Sequence, residues 1–89
     1  MSSRGDRRRQ RKPAFEQQFG RDCEAALDLV DLAEMAWHDC YGETEIPDQV
    51  VADLLTIARG DISRLASAAR LAIADWRDLR VNADATRRS

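Results

Sequence analysis

The sequence predicts an all-α fold: a three-helix up-down-up bundle with a long first helix. Three observations carry that expectation. From Phe15 onward apolar residues fall at 15, 19, 23, 26, 30, 33, 37 and 40, steps of three and four that keep one side of a helix apolar. No segment alternates apolar and polar residues as a half-buried strand would. Helix-breaking residues separate the apolar stretches at two places, Gly42 to Pro47 and Gly60.

Residues 1–12 have no apolar side chain after Met1 and are expected to form a disordered basic arm. The three-helix domain then covers 13–81. Pro13 suits the first turn of helix one, Leu27, Leu29 and Leu32 widen its stripe, and Gly20 is a weak point costing about 1 kcal/mol relative to Ala. The helix should stop at Tyr41, with Gly42 as its terminating residue. Pro47 opens helix two, where Asp48 meets the positive end of the helix dipole. Val50, Val51, Leu54, Leu55, Ile57 and Ala58 supply its buried side. Asp61 is a good N-cap for helix three. There Ile62, Leu65, Ala69, Ala72, Trp76 and Leu79 form a seam of steps three and four. Residues 82–89 should fray.

Short connections favour up-down-up packing. Trp37, Tyr41, Ile46, Val50 and Trp76 would gather at one end, with both tryptophans largely buried. Phe19, Cys23, Ile57, Ile62 and Leu65 would fill the other. At 1.5 Å per residue helix one spans ~40 Å and helix three ~29 Å. The overhang carries Phe15 and Phe19. Either Gly20 bends it back onto the bundle, or a second copy covers it, making Phe15 and Phe19 self-association residues of a homodimer.

The 89 residues make one domain at most, and a chain this short buries only roughly 60% of its unfolded surface. The net charge of −2 hides a strong segregation. Residues 1–15 carry six bases (Arg4, Arg7, Arg8, Arg9, Arg11, Lys12) against Asp6 alone. Residues 16–48 carry ten acids against Arg21 alone, and 49–86 are balanced. No apolar run reaches the ~18 residues of a membrane span. No apolar stretch follows the basic start, so no secretory signal is expected there. Two cysteines do not make a disulfide framework. A cytoplasmic location with reduced thiols is expected.

The stretch "EMAWHDC", residues 34–40, brings the chain's one histidine near a cysteine. Glu34 and His38 share a helix face, but Asp39 and Cys40 point elsewhere, so three ligands do not converge. The simpler expectation is a helix end: His38 complements the dipole and Glu34 pairs with it at i, i+4. Cys23 and Cys40 lie ~25 Å apart on a continuous helix, too far for a disulfide. No Ser/His/Asp set is legible, and the four glycines are scattered. No catalytic residue, metal ligand or cofactor is expected, and the chain reads as non-enzymatic.

The charged regions remain. Glu24, Asp28 and Asp31 step along one side of helix one and Asp39 continues the line. This acidic stripe would attract a basic partner. The leading expectation is therefore a small helical interaction or regulatory protein that binds a protein partner through Glu24, Asp28, Asp31 and Asp39. The alternative is a nucleic-acid-binding regulator whose Arg4, Arg7, Arg8, Arg9, Arg11 and Lys12 neutralise phosphates. The same arm could instead dock on an acidic protein, or on the chain's own acidic body. No aromatic is interleaved in the arm to stack on bases. A helix opening on Asp61, Ile62 and Ser63 makes a poor recognition helix.

Overall fold

The computed structural model describes residues 3–88, which are helical throughout apart from the connections, with no strand among them. The order is α1 (Arg4–Phe19), a short 3₁₀ turn (Gly20–Asp22), α2 (Cys23–Tyr41), α3 (Asp48–Ala58) and α4 (Ile62–Arg88). The all-α expectation holds. The boundaries at Tyr41/Gly42, Pro47/Asp48 and Gly60/Asp61 fall where the breaking residues placed them.

The N-terminal segment departs from expectation. Residues 4–12, expected as a disordered arm, form the first part of α1; Met1 and Ser2 lie outside the described residues. Ser3 caps the helix: its Oγ accepts from the Asp6 N–H at 3.1 Å, and Asp6 Oδ2 accepts from the Ser3 N–H at 3.3 Å. This reciprocal capping box satisfies two helix-end donors. Pro13 lies inside α1 rather than at its start, so it offers no backbone N–H there.

The long first helix is likewise two helices. Gly20 has φ 56° and ψ −120°, a conformation open to glycine and costly for other residues. The chain turns there, and α1 folds back against α2. Phe15 and Phe19 are consequently buried within this chain, their ring centroids 5.8 Å apart. The overhang that would have needed a second copy does not exist, and the case for self-association through Phe15 and Phe19 loses its basis. The radius of gyration, 12.1 Å, matches the ~12 Å of a compact domain of this length.

Alpha-2 ends at Gly42, whose N–H donates to the His38 carbonyl at 2.8 Å. Alpha-3 ends with Arg59 and Gly60 both at positive φ. A Cβ at Gly60 would lie 2.7 Å from the Gln18 carbonyl oxygen, so the approach of this turn to the end of α1 excludes any side chain. Gln18 also donates from Nε2 to the Leu55 carbonyl at 3.0 Å. Asp61 caps α4 by accepting from the Arg64 N–H at 3.0 Å.

Alpha-4 bends at Asp75, which is extended (φ −162°, ψ 98°) inside the helix. Such a residue interrupts the i→i−4 ladder, leaving carbonyls one turn earlier without their usual donors. Two side chains repair the break. Asp75 Oδ1 accepts from the Arg77 N–H at 3.0 Å. The Tyr41 hydroxyl sits 3.0 Å and 2.9 Å from the carbonyl oxygens of Ala72 and Ile73, to which it donates. Beyond the bend, residues 82–88 do not fray: Leu79 and Ala83 are fully buried and the helix runs to Arg88. Ser89 lies outside the described residues.

Phe15, Leu27, Leu54, Leu65 and Leu79 are the large fully buried apolar side chains. Of the expected clusters, Trp37 lies against Tyr41, and Trp37, Val50 and Trp76 line one shared hollow. Trp37, Ile46 and Val50 are buried, whereas Tyr41 and Trp76 are only partly covered. Trp76 is half-buried beside the bend at Asp75, whereas Leu79, the next seam residue, is fully buried.

Candidate interaction surfaces

Alpha-1 brings its bases onto the acids of α2. The i, i+4 series Arg7, Arg11, Phe15, Phe19 is a single side of α1, so the two arginines continue the buried stripe of the two phenylalanines. Opposite them stands Glu34, which lies in the core-facing series 23, 27, 30, 34, 37 of α2 and is fully buried. Arg7 donates to Glu34 Oε1 from Nε at 3.0 Å and from Nη2 at 2.7 Å. Arg11 donates to Oε2 at 3.0 Å, and the Ile46 backbone N–H to the same oxygen at 3.1 Å. Arg4 Nε is farther out, 3.9 Å from Oε1. The arginine side chains are themselves 8% and 9% exposed at Arg7 and Arg11.

Burial alone would push the Glu34 carboxyl up. The hydrogen bonds from Arg7, Ile46 and Arg11 outweigh it and hold the group below the ordinary glutamate value. Glu34 does not pair with His38 as its spacing suggests. His38 is exposed, with Nδ1 3.2 Å from the Glu43 carbonyl oxygen. Trp37 Nε1 donates to the Glu43 carboxylate at 3.2 Å.

The acidic stripe is met by the same helix. Arg8 donates to Asp28 at 2.9 Å, to Asp31 at 2.5 Å and to Glu24 at 2.7 Å, with Lys12 Nζ 3.7 Å from Glu24. The hydrogen bond from Arg8 draws the Glu24 carboxyl below its usual value. Of the four acids expected to form a partner surface, Glu24, Asp28 and Asp31 thus contact the chain's own basic segment. Asp39 is exposed at the far end of α2, beyond the reach of that cluster. Arg9, the most exposed of the arm's arginines with a partner in this network, pairs with Asp6 on its own helix.

A second buried carboxylate ties down the end of α4. Asp53 accepts from Arg80 Nε and from Arg87 Nη2, each at 2.8 Å, and from Gln49 Nε2 at 3.3 Å. Burial opposes its charge, yet Arg80 and Arg87 hold it below the ordinary aspartate value. These contacts explain why the tail does not fray.

The cysteines stay apart in environment. Cys23 is buried, and desolvation raises its thiol above the usual value, which disfavours the nucleophilic thiolate. Cys40 is exposed. Among the described residues no three His, Cys, Asp or Glu side chains gather as a metal-binding group. No helix among them is long and apolar enough to cross a membrane.

One further surface has no counterpart in the sequence reading. An open apolar groove of about 720 Å³ runs between α2 and the first half of α4, lined by Leu29, Leu32, Ala36 and Cys40 on one side and Arg70 and Ile73 on the other. Leu32 is 63% exposed, and Met35, on the next edge of α2, is 50% exposed. Sequence spacing assigned Leu29 and Leu32 to a widened core stripe. The stripe is wider than the core it faces, and its outer edge is left to solvent. The chain matches no protein-family model, no curated protein and no solved structure.

Proposed function

We propose that this chain is a small non-enzymatic helical interaction protein that binds a macromolecular partner through the outward side of α2. The reading takes α2, α3 and α4 as running up, down and up, an arrangement supported by the Tyr41 contact at one end and the Gly60–Gln18 contact at the other. The observation that carries it is the α2/α4 groove with Leu32 and Met35 exposed beside it. Contiguous apolar surface rimmed by charge marks docking sites. The acidic stripe then serves as the charged margin of that surface. Asp39 is its available member, because Arg8 holds Glu24, Asp28 and Asp31. The nucleic-acid reading has less to support it: Arg7, Arg8 and Arg11 are spent on the chain's own carboxylates, and the acids beside them would repel a phosphate backbone.

The test is affinity capture on the purified chain with identification of bound proteins by mass spectrometry. Wild type is compared with Leu32→Ser/Met35→Ser and with Glu24→Lys/Asp28→Lys. Loss of the captured protein in the first variant alone is the expected result. Loss in the second alone returns the function to the acidic stripe, and salt-sensitive retention on duplex DNA by the wild type would favour the alternative.

A further inference from the structure

We propose that the groove between α2 and α4 takes a second copy of this same chain, with α2 of one copy lying on α4 of the other. The proposal rests on the reading of this face as a docking surface and names its occupant. Charge selects the second copy. On the outward side of α2 Asp39 lies beyond the acids that Arg8 holds, whereas the stretch of α4 that lines the groove, residues 62–74, carries Arg64 and Arg70 and no acid. The chain therefore holds both halves of a complementary pair on one face. Laying α2 on the other copy's α2 would set Asp39 against an acidic helix with no Arg or Lys; laying it on α4 offers it a base of opposite sign.

The fold fixes which residues meet. The start of α4 lies against the α1/α2 turn, where Gly60 abuts Gln18, and Tyr41 at the end of α2 reaches Ala72 and Ile73. Alpha-2 and α4 therefore run in the same direction with residue 41 level with 72 and 73. A two-fold axis lying in the face and parallel to both helices places α2 of each copy over α4 of the other with levels preserved. Such an isologous contact occurs twice, residue i with j and j with i. Arg70 sits less than one turn below Ile73, which sets it level with His38 and Asp39. Asp39 of one copy then faces Arg70 of the other on both sides, while Leu32 and Ala36 cover the apolar floor. Both Asp39 and Arg70 are exposed in the single chain, so neither is needed for its folding.

Sedimentation of the full-length chain, alone and as charge-reversed variants, tests this. The wild type is expected to sediment at twice the 10.1 kDa chain mass. Asp39→Arg and Arg70→Asp should each weaken association by about tenfold or more, since like charges then meet on both sides. Mixed in equal amounts, the two variants should form a dimer again. The arginine introduced at position 39 of one chain then faces the aspartate introduced at position 70 of the other, and the second site keeps the native pair. Recovery on mixing also shows that both variants fold. As a check needing no substitution, labelling of the exposed Cys40 thiol by a maleimide should slow as wild-type concentration rises. A monomeric wild type, single variants that still dimerise, a mixture that stays monomeric, or labelling independent of concentration would each overturn the proposal. A monomeric chain that still loses a captured protein on Leu32→Ser/Met35→Ser would sink the second copy as occupant and leave the docking face standing.

Discussion

Removing the Glu34 carboxylate is the sharpest probe of what holds α1 in place. Glu34→Ala deletes the acceptor of four donors: two from Arg7, one from Arg11 and the Ile46 N–H. The carboxylate is fully buried and the two arginines nearly so, so the variant removes the buried counter-charge of two cations and the acceptor of a backbone donor, while Arg7 keeps its longer 3.6 Å contact to the exposed Glu45. Removing one member of a buried ion pair costs about 3–5 kcal/mol. A chain of this length has roughly 4–13 kcal/mol of stability in total, so the loss is a large fraction of it. The melting temperature should fall by about 12 °C or more, taking ~4 °C per kcal/mol as the lower conversion. Glu34→Gln keeps one acceptor oxygen but sets an amide N–H against the remaining donors, and should cost an intermediate ~1.5–3 kcal/mol. Urea unfolding followed by far-UV circular dichroism measures both. A loss of less than about 1 kcal/mol in Glu34→Ala would mean that Arg7 and Arg11 reach water along their flexible stems. Phe15 and Phe19 would then hold α1 without help, and the buried ion pair would not be its anchor.

Four further outcomes follow from the same geometry. Asp53→Ala should cost less, about 1–3 kcal/mol, because its partners Arg80 and Arg87 are each 37% exposed and can rehydrate; equal or greater loss than Glu34→Ala in the same unfolding assay would contradict this. Both carboxyls titrate below their ordinary values when folded, so their stabilisation is complete above the ordinary carboxylate range and is lost as pH falls through the folded values. Melting temperature should accordingly be flat from neutrality to ~pH 5 and drop below it, and a double Glu34→Ala/Asp53→Ala variant should lose much of that acid sensitivity. Tyr41→Phe removes the donor to the Ala72 and Ile73 carbonyls at the α4 bend; a loss of about 1–3 kcal/mol is expected, and a silent variant would show that water replaces the hydroxyl. Trp37→Ala should cost roughly 3–5 kcal/mol as a buried aromatic, whereas Trp76→Ala, half-buried, should cost clearly less by calorimetry.

Local rules set most of the helical map. The step of three and four from Cys23 to Trp37, Gly42 at the end of α2, Pro47 and Asp48 at the start of α3, and Asp61 before α4 are each read from neighbouring residues, and each holds. These signals are legible because helix period and caps depend on residues within four positions of one another. The capping pair Ser3–Asp6 and the series Arg7, Arg11, Phe15, Phe19 were equally local, and would have marked α1 had a charged residue been admitted to a buried stripe. Composition argued otherwise: a segment without apolar residues cannot usually offset its ordering entropy.

The remainder came from contacts between distant parts of the chain. Arg7 and Glu34 are 27 residues apart, Arg8 and Glu24 are 16 apart, and Arg87 and Asp53 are 34 apart. Nothing in the chain order says that the basic segment meets this chain's own acids rather than a partner's. That followed from Gly20, where the sequence permitted either a straight helix or a turn. The turn wins because it buries Phe15 and Phe19 and supplies counter-charges to the carboxylates of α2. The exposed apolar surface of α2 is at Leu32 and Met35, and the two phenylalanines are buried. Which side of an over-wide apolar stripe stays in water depends on where the neighbouring helices pack, and local sequence does not carry that information.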